Sequence, residues 1–197
     1  NLLYPSGQFG TRRLLGKDAS SPRYIFTYLQ SWVKQVFNDS DNQLLNYLDD
    51  DGASIEPDFY VPVLPMILIN GSEGIGTGWS SNIPCYNPKD VISNLNKLIK
   101  NEDTDMDVMV PWYKGFTGET VQISNNEWRT KGIINVIHKT STTEVEVTEL
   151  PVGNVSTRGN RSIQSFKDYL CLMEQRGEIM SFVENYTDDK IYFKIRF

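Results

Sequence analysis

The sequence predicts an α+β fold, and three observations carry the prediction. Apolar residues recur at helical spacing near 25–37, 88–100 and 162–175. From Glu119 onward the pattern changes to the alternation of strands. Lys139-Thr-Ser-Thr142 then has the length and composition of a hairpin loop between two of them. With 197 residues, 39% of them hydrophobic and 12% aromatic, the chain has the size of one domain or one and a half. It can bury roughly 70% of the surface its unfolded form exposes, without disulfides or a structural metal.

Residues 1–23 are rich in turn formers, including Pro5-Ser6-Gly7, Gly10, Gly16-Lys17-Asp18 and Ser20-Ser21-Pro22, and read as a loop or wing. A helix is expected over 25–37 from Ile25, Phe26, Leu29, Val33 and Val36. Phe59 to Ile69 contains two prolines, which permit only an irregular or edge strand. The glycine-dense run Asn70 to Trp79 follows as a tight loop. Asn87 as N-cap and Pro88 at the first helical position open a helix to about Lys100. Strands are expected over 119–124, 129–138, 143–150 and 190–197, with the last helix at 162–175. No internal repeat is visible.

The net charge of −6 argues, taken alone, against a nucleic-acid partner. Its distribution reverses that argument. Residues 1–34 hold five basic residues, Arg12, Arg13, Lys17, Arg23 and Lys34, against Asp18, for a net of +4. Fourteen bases face twenty-four acids in the other 163 residues. The basic part is interleaved with Tyr4, Phe9 and Tyr24, a composition suited to docking a phosphate backbone. Between Asp39 and Asp58 stand seven acids and no base, which reads as a solvated acidic surface, with metal binding as the other reading.

Several chemistries are excluded. The longest apolar stretch, Tyr60 to Ile69, is half of what a bilayer requires. The N-terminus lacks the pattern of a secretory leader, and two distant cysteines, Cys85 and Cys171, suit a reduced compartment. The chain starts without Met and stops inside an alternating run, as expected for a segment of something longer. With His138 as its one histidine, it holds neither a His/Cys zinc site nor a Ser-His-Asp triad. Asp103-Thr-Asp105-Met-Asp107 imitates a calcium loop but lacks the required glycine and glutamate. Gly71-Ser-Glu-Gly-Ile-Gly76-Thr77 has the glycines of a phosphate loop without its lysine. A tight glycine loop can instead hold Ile75 outward, because Gly74 and Gly76 let the backbone pass close to a partner. In Arg23-Tyr24, the cation can hold a phosphate and favour phenolate, turning a weak nucleophile into a useful one.

Gly7-Gln-Phe-Gly-Thr-Arg12, Gly16-Lys-Asp18 and Ser21-Pro-Arg-Tyr-Ile-Phe-Thr27 together resemble the segment around the active-site tyrosine of the eukaryotic-type DNA topoisomerase II family, a type IIA topoisomerase. The resemblance continues through Glu56 to Ser80, Asn82-Ile-Pro84, Tyr113-Lys-Gly-Phe-Thr-Gly118 and Glu149-Leu-Pro-Val152. It implies that residues 1–27 are the C-terminal part of a winged-helix domain and 28–197 a tower domain with an antiparallel sheet and packed helices. By the same resemblance Tyr24 attacks a DNA phosphodiester, Arg23 grips the scissile phosphate, Lys17 and Arg12 contact DNA, and Ile75 wedges between base pairs. Magnesium and ATP are then held by parts of the protein outside this segment, which itself has no metal site. The implied partners are double-stranded DNA and a second copy in a homodimer, with no membrane; the implied location is intracellular, and nuclear for a cellular eukaryotic source. The alternatives are a non-catalytic module that binds and bends DNA, and a nucleotide-binding α+β domain using the glycine loop. Leu15 stands where the family usually has a second glycine, and Val152 to Arg158 lacks its usual tryptophan.

Overall fold

Strand pairing and helix capping organise the chain into two compact units, Asn1–Tyr4 with Thr27–Pro111, and Pro5–Phe26 with Trp112–Phe197. The structure, a computed structural model, describes residues 1–100, 106–125, 127–153, 162–188 and 190–197. The Asp103–Asp105 carboxylates of the calcium-loop imitation lie outside the described residues, as does 154–158 of the run lacking tryptophan.

Strands β1 (Leu3–Ser6) and β2 (Phe26–Leu29) pair as a two-stranded sheet, and both cross from one unit into the other. The helix expected over 25–37 is therefore corrected to a strand followed by the single helical turn α1 (Val33–Val36). Ile25-Phe-Thr-Tyr28 is aromatic and β-branched, and the Tyr4 and Tyr28 rings stack at 4.7 Å. Only Val33 and Val36 keep the expected burial.

The acidic stretch contains a hairpin that the periodicity does not reveal, β3 (Tyr47–Asp50) and β4 (Ala53–Pro57). Asp51 and Gly52 both have positive φ in its turn, and Asp49 Oδ1 accepts the Gly52 N–H at 3.0 Å. The irregular or edge strand expected over 59–69 is also corrected. Prolines without N–H groups leave Phe59 to Pro65 outside any sheet, and Pro65 leads into the short helix α2 (Met66–Asn70).

The glycine run forms a hairpin, β5 (Ser72–Gly76) and β6 (Trp79–Ile83), in which Ile75 opposes Ser80 and Gly76 opposes Trp79. Helix α3 (Pro88–Ile99) starts as the sequence predicts, with the Asn87 side chain accepting the Lys89 N–H at 3.0 Å. Its buried Asn94 bonds the backbone of Asp107 in both directions at 2.9 Å.

In the second unit β7 (Glu119–Ser124) pairs with β8 (Glu127–Lys131), while β9 (Ile133–His138), β10 (Thr143–Glu149), β11 (Ser181–Glu184) and β12 (Phe193–Arg196) form a different sheet of order β11-β12-β10-β9. The single strand expected over 129–138 is thus two strands broken at Gly132, where a Cβ would lie 2.2 Å from the Glu149 carbonyl oxygen. The last strand is shorter than the expected 190–197, and β11 forms where no strand is expected. Helix α4 (Ile163–Gln175), capped by Ser162, packs Ile163, Leu170 and Phe166 with Val147, Phe193 and Ile195 in one apolar core. Mixed helix and antiparallel sheet agree with the predicted α+β class.

On the sheet's other face Glu144 is buried under three cations. Lys139 Nζ lies 2.7 Å and Arg196 Nη2 3.3 Å from Oε1, and Lys194 Nζ lies 3.1 Å from Oε2. The Lys139 hydrogen bond, followed by that of Lys194, lowers the Glu144 carboxyl from its ordinary 4.5 to about 2.

Candidate nucleic-acid interface

Pro22 fixes φ at the first position of the 3-10 turn Pro22–Tyr24, in which the Tyr24 N–H donates to the Ser21 carbonyl at 2.9 Å. Tyr24 leaves this turn 68% exposed. Arg23 is exposed beside it, its guanidinium carbon 6.0 Å from the Tyr24 ring centroid. A phenol and a guanidinium are thereby presented together to solvent, with no ion pair at Arg23 among the described residues.

The loop before this turn is laced from within. Asp18 accepts the Thr11 N–H at 2.9 Å, the Thr11 hydroxyl at 2.7 Å and the Gln8 amide at 3.2 Å. The Thr11 N–H, then its hydroxyl, hold the Asp18 carboxyl below its ordinary range. The Gly16 N–H reaches the Thr11 carbonyl and the Ser20 N–H the Gln8 carbonyl, each at 2.9 Å. Gly10 has φ of +100°, and a Cβ there would lie 2.5 Å from Gly16 Cα, so this crossing requires glycine. Leu15 adopts left-handed φ of +53° after the 3-10 turn Arg12–Leu14. Glycine would take that conformation without strain; leucine incurs about 1–2 kcal/mol.

The sequence-predicted cations divide into two kinds. Lys17 is exposed, as a phosphate contact requires. Arg12 instead turns to the protein, donating from Nη2 to Glu149 Oε1 at 2.5 Å and to the Leu150 carbonyl at 2.9 Å. Glu149 is 3% exposed and also accepts the Thr117 N–H and hydroxyl at 3.0 Å and the Leu150 N–H at 2.8 Å. Burial pushes its carboxyl up, but Arg12 and the Thr117 N–H together leave it below the usual range. Arg13 reaches Gln164 at 3.3 Å and lies 5.7 Å from the Tyr186 ring centroid.

Ile75 belongs to the other unit and is 94% exposed on β5. At that exposure Ile75 is not part of this unit's core. Trp79 lies across Gly76, where a Cβ would meet the indole at 2.9 Å, whereas at Gly74 a Cβ has room, 3.8 Å from Ser81 Oγ. No helix follows this hairpin directly, so the glycine run lacks the helix N-terminus of a phosphate loop and the nucleotide-binding alternative loses its basis.

Residues 1–197 match the DNA gyrase/topoisomerase IV A-subunit family. The chain belongs to that family. It is 43% identical, over its whole length, to DNA topoisomerase 2 of Penicillium chrysogenum, and 47% identical over 77% of its length to that of Candida albicans. It covers 12% of the first protein and 10% of the second, so it spans about an eighth or less of these curated relatives. A solved structure titled as the DNA-binding, cleavage and re-ligation domain of Plasmodium falciparum topoisomerase II matches with a TM-score of 0.82 and 41% identity. That match covers all of this chain and 26% of the solved one.

Within the topoisomerase family frame, the site residues that sequence reading misses are Glu149, Thr117 and Asp18. Glu149 carries no local signal: the β9–β10 register shifts between Val147 and Glu149, so strand alternation does not announce the buried carboxylate, which is costly unless a cation meets it. Among the described residues no group of three His, Cys, Asp or Glu side chains can hold a metal, and no helix is long and apolar enough to cross a membrane.

Proposed function

We propose that this chain is the nucleophile-bearing part of a type IIA DNA topoisomerase, which cleaves and rejoins duplex DNA. The observation that carries the reading is Tyr24, held on a short proline-started turn, 68% exposed and flanked by the Arg23 guanidinium. The Tyr24 oxygen attacks a backbone phosphorus as its proton passes to solvent, the bond from phosphorus to the 3′ oxygen breaks, and the departing oxygen takes a proton from solvent. The products are a 5′-phosphotyrosyl link and a 3′-hydroxyl, and the reverse attack by that hydroxyl rejoins the strand. Arg23 holds the phosphate and stabilises the charge that grows on its oxygens in the transition state.

Residues 1–27 then belong to the winged-helix domain and 28–197 to the tower, with Lys17 contacting the DNA backbone. Ile75 is a wedge that opens a base step, at a few kcal/mol offset by wider contact with bent DNA. Two copies in a homodimer cut the two strands, and parts of the protein beyond these residues bind magnesium and ATP for strand passage. Two cysteines suited to a reduced compartment and the similarity to eukaryotic topoisomerase 2 proteins support an intracellular place of action, nuclear where the source is a cellular eukaryote.

The test is Tyr24→Phe in the full-length enzyme. It should bind DNA as the parent does and form no protein-linked DNA. Covalent complexes in that variant would overturn the nucleophile, and their absence in the parent as well would leave a binding and bending module.

A further inference from the structure

The ion pair between Arg12 and Glu149 joins residues far apart in the chain, and five polar contacts converge on one buried carboxylate and its cation. Buried charge of this kind is weak evidence for stability, because desolvation cancels much of the attraction. What it supplies is position. Arg12 opens the 3-10 turn Arg12–Leu14, and that turn is tied through Thr11 to Asp18, through Asp18 to Gln8, and through Gln8 to Ser20. Four residues later comes Tyr24, whose carbonyl oxygen would lie 3.4 Å from a Cβ on Gly7. The whole path, including Thr117 and Glu149, lies within one compact unit.

We propose that Glu149 is a positioning residue for DNA cleavage, holding Arg12 so that the laced loop Gln8–Tyr24 presents the nucleophile in register, and that Arg12 acts through Glu149 rather than as a phosphate ligand. The proposal rests on the reading of Tyr24 as nucleophile and adds to it a role for a residue outside the loop. Both Glu149 oxygens and the Arg12 Nη2 are already engaged by protein groups, and Arg12 is only partly exposed. Misplacing a reacting group by about 1 Å can cost on the order of 100-fold in rate. Loss of the clamp therefore lowers the rate of the chemical step while leaving the DNA contacts in place.

The experiment uses the full-length enzyme and a linear duplex, with Glu149→Gln, Arg12→Met and the double variant. Three quantities are read: the single-turnover rate of covalent complex formation at saturating DNA, the DNA Kd as a function of salt, and the melting temperature. The proposal expects roughly a tenfold or larger fall in rate for each single variant. The double variant should be no slower than the worse single one. Kd and its salt slope should stay within about twofold of the parent. Arg12→Lys, which keeps a cation opposite Glu149, should recover part of the rate. If Glu149→Gln does not fold, Arg12→Met and Arg12→Lys carry the same test. A drop of about one unit in the salt slope for Arg12→Met, the signature of a lost phosphate contact, would overturn the proposal. So would an unchanged rate in a folded Glu149→Gln or Arg12→Met. Tyr24→Phe run alongside separates the two failures: covalent complex in that variant refutes the nucleophile, whereas a normal rate in the clamp variants refutes only the clamp.

Discussion

The loop Gln8–Tyr24 and the hairpin β5–β6 are both glycine-containing, and they use glycine for opposite ends. In the loop, Gly10 lets two backbone segments cross, and the polar side chains bond one another, so the chemistry-bearing Arg23 and Tyr24 stand on a frame fixed from inside. In the hairpin, Gly74 has space beside it and Ile75 stands clear of the protein, with Trp79 covering Gly76 from the neighbouring strand. A catalytic group must be positioned to a fraction of an ångström, whereas an apolar wedge needs only to be presented. The difference predicts that substitutions in the loop act on cleavage and substitutions in the hairpin act on DNA shape.

The largest effect should come from Arg23→Ala in the full-length enzyme, with cleavage lowered by about 100-fold or more and a smaller loss in DNA affinity. Equal losses in rate and affinity would make Arg23 only an anchor. Next, Gly10→Ala collides with Gly16 backbone and should cut covalent complex formation strongly, while Gly74→Ala should cleave like the parent. Matching effects of the two alanines in a cleavage gel would erase the contrast between the regions.

An intermediate effect concerns acid. Glu144 has a folded-state pKa of about 2 against an ordinary 4.5, so its contribution to stability is present above about 4.5 and fades as pH falls toward 2. Glu144→Gln should flatten that part of a melting-temperature profile taken between pH 5 and 2, and an unchanged slope would place the acid sensitivity elsewhere. The smallest effect is that of Ile75→Ala. It should leave the melting temperature within about 1 °C, since an exposed apolar side chain contributes little to the core, and lower DNA bending in a fluorescence-transfer assay. Unchanged bending would remove the wedge.

Legibility in the sequence follows the range of the interaction. The capping of α3 by Asn87-Pro88 and the helix from Ile163 are local and readable. Helical spacing from Ile25 to Phe37 misleads, because pairing of Phe26–Leu29 with Leu3–Ser6 outweighs a weak periodic signal. The Asp51-Gly52 turn is legible in principle, but the run of acids around it reads as a solvated surface. At the site, the motif around Tyr24 marks the proposed nucleophile, and Tyr24 and Lys17 are both exposed. The pairing of Arg12 with Glu149 spans 137 positions, and no local pattern reports a partner at that distance.

The central claim is that the Tyr24 oxygen becomes bonded to DNA. The direct measurement is to denature the full-length enzyme during cleavage, digest both protein and DNA, and identify by mass spectrometry the residue that carries the nucleotide. The account predicts a nucleotide joined through its 5′ phosphate to Tyr24 and to no other residue. A nucleotide on another side chain, or attached through its 3′ phosphate, would contradict it.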